Sequence, residues 1–212
     1  MPYLTKEQLI LPRKDGEGNP TNDADWHTLP AVNGEKQIFG YMGDDDEAHF
    51  HYTLGFFTRG TGLELGSFYG YSAALAGLGM KHGPWQQGKL ICIDWFASIN
   101  YLAGDNTLER FNQNMRVFGV EQYVTGVQGS CEDPNVIPFT ELEWVFFDAS
   151  HCIKELRINM EIFGPMVKPG GLYLWHDVMQ SEVQEHIEEC RKEQNLSHVT
   201  GGRDFQVWLK PL

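Results

Sequence analysis

Three groups of residues in this chain have the types and spacing to do chemistry. The first is the run from Gly62 to Ser72, with Glu64, Gly66, Ser67, Tyr69, Gly70 and Ser72 at its centre. Glycines at such a loop permit a tight turn and let a ligand approach the backbone closely. The Gly66-x-x-x-Gly70 spacing departs from the Gly-x-Gly-x-x-Gly of nicotinamide-binding loops, and packing alone also explains many paired glycines. The second group is Asp94-Trp95, closing the apolar run Leu90-Ile91-Cys92-Ile93. An acid at a strand end can accept hydrogen bonds from both hydroxyls of a ribose. The neighbouring indole offers a flat surface for an adenine ring, although a core tryptophan beside a solvated aspartate is the plainer reading. The third group is Asp148, His151, His176 and Asp177, whose carboxylates and imidazoles can take a proton or hold a divalent cation. The other histidines offer less. His49 and His51 stand two apart on a predicted helix and do not share a face, and His82, His186 and His198 read as surface residues.

The elements that must position these groups alternate from about residue 60 onward. Leu63–Leu65 reads as a short strand and Tyr71–Met80 as an alanine-rich apolar helix. Lys89–Ile93 reads as a strand, 107–118 as a helix with Leu108, Phe111, Met115 and Phe118 at helical spacing, and Tyr123–Val127 as a third strand. Glu143–Phe147 is a fourth strand ending at Asp148. Ile153, Leu156, Met160, Phe163 and Val167 form a helical stripe, stopped by the turn Lys168-Pro169-Gly170-Gly171. Leu172–Trp175 is a fifth strand, Ser181-x-x-Gln184 opens a charged helix to about Gln194, and Gly201-Gly202 separates two extended runs, a terminal hairpin. Continuous apolar strands between helices predict a parallel sheet covered on both faces. Ligands of such sheets bind beyond the carboxyl ends of the strands. Gly66–Gly70, Asp94, Asp148–His151 and His176-Asp177 are therefore expected to share one cleft. Upstream, residues 12–36 are rich in Gly, Pro, Asn and Asp and read as loop. Residues 44–58 read as a helix, with Asp44–Asp46 at its positive end and Phe50, Leu54 and Phe57 on one face.

Composition narrows the partners. A net charge of −13, with 16 Lys and Arg scattered along the chain, leaves no basic stripe for a phosphate backbone, so no nucleic acid is expected. No apolar run reaches the roughly 18 residues that a membrane span needs. Met1-Pro2-Tyr3-Leu4 lacks a basic leader region, and the cysteines Cys92, Cys131, Cys152 and Cys190 show no C-x-x-C pairing. These features predict free thiols and a cytoplasmic protein.

Taken in order, the motifs resemble the class I S-adenosylmethionine-dependent methyltransferases from about Gly62 to Asp177. The small-molecule O-methyltransferases related to macrocin O-methyltransferase and to cephalosporin-hydroxylase-type proteins are the most similar. Those families show an E-x-G-x-x-x-G-x-S loop, an acid closing the second strand, D-x-x-H after the fourth, and P-G-G then H-D around the fifth. Here these are Glu64/Gly66/Gly70/Ser72, Asp94, Asp148-Ala149-Ser150-His151, Pro169-Gly170-Gly171 and His176-Asp177. The resemblance implies a Rossmann-like α/β fold with a mostly parallel seven-stranded sheet, helices on both faces and a C-terminal antiparallel hairpin. It implies that Gly66–Gly70 pack against the methionine part of the donor and that Asp94 holds the ribose. Gly129 and Ser130 would lie near the adenine, without the family's usual acid between them, and Asp148 would flank the donor.

Methyl transfer from a sulfonium is an in-line displacement, so the acceptor must lose its proton and be aimed at the methyl carbon. Either His151, beside Asp148, is the general base, or Asp148, His176 and Asp177 hold Mg²⁺ or another divalent cation. His176 replaces an acid of the clearer metal-dependent relatives, and Ser150 stands where relatives often have a second Asp. A small hydroxylated acceptor is expected, with residues 1–57 as a cap, lid or homo-oligomer contact and 58–212 as the methyltransferase domain. The rivals are a nicotinamide oxidoreductase and a non-catalytic nucleoside-binding protein of the same fold. A nucleic-acid methyltransferase would carry Asn- or Asp-Pro-Pro-aromatic where Asp148-Ala149-Ser150 stands.

Overall fold

The computed structural model describes residues 28–32, 35–38, 45–97 and 107–212, with side chains from Glu47 onward in those ranges. Strands β1 (Thr28–Val32) and β2 (Glu35–Ile38) pair antiparallel as a separate two-stranded sheet. They overlap the stretch 12–36 expected to be loop, whose Gly-, Pro- and Asn-rich composition hid the short extended arms. The rest of 12–36, and Asp44 of the acidic run, lie outside the described residues.

The remaining elements are α1 (Asp45–Phe57), β3 (Thr61–Leu65), α2 (Tyr71–His82), β4 (Lys89–Asp94), α3 (Thr107–Phe118), β5 (Val124–Gln128), β6 (Leu142–Phe147), α4 (Ile153–Phe163), β7 (Val167–His176), α5 (Ser181–Gln194), β8 (Ser197–Gly201) and β9 (Phe205–Leu209). Seven strands form one sheet in the order β5-β4-β3-β6-β7-β9-β8. β3 through β7 run parallel, while β9 pairs antiparallel with both β7 and β8. This is the mostly parallel sheet with a terminal hairpin that the sequence predicts. The chain steps outward from β3 to β5, then returns to the far side of β3 as β6, so the switch point lies between the ends of β3 and β6.

Alternation along the strands divides the core between the two faces. Val145, Phe147, Tyr173 and Trp175 pack beneath α4 and α5 with Leu156, Phe163 and Ile187. Trp144, Phe146 and Leu174 face the other side, against Ala73, Ala76, Met80 and Phe111. Phe147 and Trp175 stack at 5.3 Å between ring centroids. Complete burial of one such aromatic side chain is worth roughly 1.5–3 kcal/mol.

Four local expectations shift. α4 ends at Phe163, and Val167 opens β7 rather than closing the helix. The Lys168–Gly171 turn is instead an irregularity within β7, where the register moves from Leu142↔Val167 to Trp144↔Leu172 and Gly170 takes φ +75°. α1 buries Glu47, Ala48, His51 and Leu54, whereas Phe57 is exposed. That face lies against α2 so closely that a Cβ on Gly55 would overlap the Ala76 carbonyl, and one on Gly79 the Tyr52 carbonyl. His186, expected at the surface, is buried under Trp175 and beside Cys190. All four cysteines are free thiols, and among the described residues no helix is long and apolar enough to cross a membrane.

Candidate active site

The strand ends bring the predicted loops together. Gly66 N–H donates to Ile93 O at 2.8 Å and Asp148 N–H donates to Leu65 O at 2.9 Å, continuing the ladders beyond β3. Gly66 has φ +85°, and a Cβ there would overlap the Asp148 carbonyl and Ala149. Glycine is therefore required both for the turn and for the close passage of the loop after β6. Gly70, at φ +83°, ends the loop immediately before α2, and its N–H donates to Ser67 O at 2.7 Å. Phe68 between them also takes the left-handed conformation, at φ 46°.

Asp94 braces this loop. Its Oδ2 accepts the N–H groups of Ser67 and Phe68, both at 2.9 Å, and its Oδ1 accepts that of Phe96 at 2.7 Å. A carboxylate offers about four acceptor positions, so roughly one is left for a ribose hydroxyl in this arrangement. Trp95 beside it is 65 % exposed, an open ring at the rim of the cleft. Gly129 joins the same rim through its N–H to Asp94 O at 2.9 Å, and Ser130 Oγ accepts the Glu132 N–H at 3.1 Å. Tyr69 and Tyr71 are buried, and Asn114 Nδ2 donates to Tyr69 O at 2.7 Å from α3.

Glu64 lies under the loop at 1 % exposure, accepting a hydrogen bond from Ser72 Oγ at 2.6 Å. Burial, reinforced by the charges of Asp148 and Asp94, pushes its pKa up to about 8 against the hydrogen bonds of Ser72 and Ser67. Burial therefore favours the neutral, protonated form of Glu64. Ser67 Oγ is buried without an aligned hydrogen-bond partner among the described residues.

The second half of the site collects at the ends of β6 and β7. His151 Nε2 stands 2.5 Å from Asp177 Oδ2, and Asp177 itself has φ 53°. One ligand atom from each of Asp148, His151 and Asp177 lies within 4.8 Å of the other two. His176 is buried behind them. Its Nε2 lies 3.1 Å from Glu47 Oε1, and its Nδ1 lies 3.2 Å from both Asp148 Oδ1 and Asp177 Oδ2 without an aligned hydrogen bond to either. Burial opposes a charge on this ring, but the close negative charges of Asp148 and Glu47 prevail and push its pKa up to about 12. The Asp148 carboxyl is raised by burial and by the nearby Asp177 and Glu47 charges, against the pull of His176. Ser150 hydrogen-bonds Glu155 and accepts the Cys152 N–H at 3.1 Å, shaping the loop rather than entering the cluster.

Sequence reasoning missed Glu47 and His51. Both are 1 % exposed, and Glu47 Oε1 lies 3.8 Å from His51 Nε2 as well as against His176. Their i,i+4 spacing puts them on one helical face, which lets them meet each other but says nothing of His176.

A family model described as a methyltransferase domain matches residues 63–178. The chain belongs to this methyltransferase family. Its enzyme class is S-adenosylmethionine-dependent methyl transfer, and the nicotinamide alternative falls away. Solved structures agree on the fold. The O-methyltransferase NovP is 17% identical with a TM-score of 0.63, covering 79% of this chain and 79% of its own. The O-methyltransferase from Bacillus cereus, solved in complex with S-adenosylhomocysteine, is 13% identical at TM-score 0.61, covering 82% of this chain and 84% of its own. TomG of Streptomyces achromogenes, an O-methyltransferase solved with S-adenosylmethionine, is 16% identical at TM-score 0.58, covering 81% and 82%. No curated protein sequence matches the methyltransferase significantly.

Proposed function

We propose that this methyltransferase transfers the methyl group of S-adenosylmethionine to a hydroxyl of a small acceptor in the cytoplasm. The observation that carries the proposal is the abutment of Gly66 on the Asp148 backbone, which sets the glycine loop and the polar cluster side by side at the switch point. The donor occupies the half formed by Gly66–Gly70, Asp94, Trp95, Gly129 and Ser130. The acceptor occupies the half formed by Asp148, His151 and Asp177. The NovP, Bacillus cereus and TomG names support oxygen as the atom methylated. The absence of a basic stripe supports a small molecule rather than nucleic acid.

Asp148, His151 and Asp177 fit a divalent cation. Two carboxylates and one imidazole suit an ion that tolerates nitrogen, such as Mn²⁺, better than Mg²⁺. We favour this set over Asp148, His176 and Asp177, the one expected from sequence, because His176 faces Glu47 on one side and lies behind the two carboxylates on the other. A bound cation would lower the pKa of the acceptor hydroxyl and orient it. The close His151–Asp177 pair favours a second reading, in which Asp177 holds Nε2 and leaves His151 Nδ1 to accept the proton. Of the segment 1–57 expected as a cap, lid or oligomer contact, α1 packs directly on α2.

Calorimetry with S-adenosylmethionine, S-adenosylhomocysteine and NAD tests the donor: the first two are expected to bind, and binding of NAD alone would overturn the proposal. Turnover of a hydroxylated acceptor that survives exhaustive chelation would remove the cation and leave His151 as base.

A further inference from the structure

Glu47 is an unusual residue for its position. It enters from α1, before the segment that matches the methyltransferase family, yet its carboxylate ends 1 % exposed against the ring of His176. α1 is held there by more than this contact. Gly55 and Gly79 let α1 and α2 meet backbone to backbone, and His51 packs edge-on against Phe146 of β6 at 4.7 Å.

His176 is the link between the helix and the site. Its Nε2 faces Glu47 Oε1 at 3.1 Å, which fixes the rotation of the ring. That rotation places Nδ1 between Asp148 Oδ1 and Asp177 Oδ2, at 3.2 Å from each. Nδ1 is buried and has no other partner among the described residues, so the two carboxylates are the groups available to it there. Asp177 needs such a restraint, because it sits at the strand end in a left-handed backbone conformation. Groups behind the ligands of a metal centre commonly set ligand orientation in this way.

We infer that Glu47 is a positioning residue: through His176 it fixes the Asp148 and Asp177 carboxylates, so that α1 completes a site the matched segment alone does not contain. The inference rests on the cation reading proposed above. It extends that reading to a residue that touches neither donor, acceptor nor ion.

The test uses the full chain and three forms of residue 47. Glu47→Gln keeps an acceptor oxygen for His176 Nε2–H. Glu47→Met keeps the length and removes the strong acceptor. Mn²⁺ affinity is measured by calorimetry, S-adenosylhomocysteine affinity reports an intact fold, and histidine-ring ¹⁵N–¹H spectra report the His176 ring. The Met variant is expected to lose about 10- to 100-fold in Mn²⁺ affinity, the range found for groups behind metal ligands, while the Gln variant recovers most of it. S-adenosylhomocysteine affinity should stay unchanged in both. A Met variant that binds both ligands as the wild type does would overturn the inference. If the Met variant loses S-adenosylhomocysteine as well, the Gln variant decides: an unshifted His176 ring with weakened Mn²⁺ binding overturns it. Wild-type protein that binds no Mn²⁺ refutes the cation reading instead. The inference then fails if the His176 signals and the Asp148 carboxyl signal of the Met variant match wild type, and holds if they move.

Discussion

Replacing Glu64 by glutamine should remove a pH dependence of stability that the wild-type fold carries. In the unfolded chain this carboxyl ionises near 4.5, whereas in the fold burial and the charges of Asp148 and Asp94 hold its pKa up at about 8. Between those values the native state binds more protons than the unfolded state, so stability falls as pH rises. The contribution is fully present below about pH 4.5 and is lost as pH climbs through about 8. The gap, at about 1.36 kcal/mol per pH unit, corresponds to on the order of 5 kcal/mol. Relaxation lowers this figure, because a proton taken up by Asp148 relieves part of the same repulsion, so a few kcal/mol is the expected loss. Glutamine is uncharged across the range and keeps an oxygen for the Ser72 Oγ–H. Urea unfolding midpoints from about pH 5 to about pH 9 should therefore fall for wild type relative to Glu64→Gln. The donor supplies a second check. S-adenosylmethionine carries a sulfonium charge that favours the Glu64 carboxylate, so saturating donor should shift the window to lower pH more than S-adenosylhomocysteine does. Parallel stability curves for wild type and Glu64→Gln would refute the reasoning.

Three further outcomes follow from the same geometry. Gly66→Ala combines the left-handed penalty of about 1–2 kcal/mol with overlap on the Asp148 backbone, so circular dichroism should report a large loss of thermal stability or no folded protein. Asp94→Asn keeps one carbonyl acceptor but weakens a brace of three backbone hydrogen bonds, each charge-assisted bond being worth about 1.5–3 kcal/mol. S-adenosylhomocysteine affinity measured by calorimetry should fall by about tenfold or more. His186 has its pKa lowered to about 4, chiefly by burial, so stability should be lost as pH falls from about 6.5 through about 4; His186→Phe should flatten that limb of an acid unfolding curve.

The half of the site made by backbone was legible in the sequence. Gly66, Gly70 and Asp94 follow short strands, the second of them a continuous apolar run, and their local rules of turn, strand end and acid need no knowledge of distant residues. The topology then brings Asp148 and Asp177 to the same edge, because β6 and β7 run parallel to β3. Where the pattern was mixed, the reading slipped. Val167 continues the helical stripe of Leu156, Met160 and Phe163 in sequence, yet the strand pairing Leu142↔Val167 claims it. His186 sits on the stripe Val183, Ile187 and Cys190, so its burial could have been inferred from spacing, but the surrounding charges of α5 obscured it.

Glu47 was illegible for a deeper reason. As the last of four consecutive acids it reads as a residue favoured by the positive end of a helix, and that local explanation is sufficient. What gives it another role is the direction in which α1 is turned, which Gly55 and Gly79 set by allowing one helix to lie directly on the other. Those glycines look like weak points in two helices, since each costs about 0.5–1 kcal/mol relative to alanine. In the fold they are what bring Glu47 within reach of His176. Alanine at Gly55 should therefore act on the site as well as on stability, because it lifts the end of α1 that carries no catalytic group. Loss of Mn²⁺ affinity in Gly55→Ala, with the His176 ring signals displaced as in Glu47→Met, would show that helix packing and active-site geometry are one constraint.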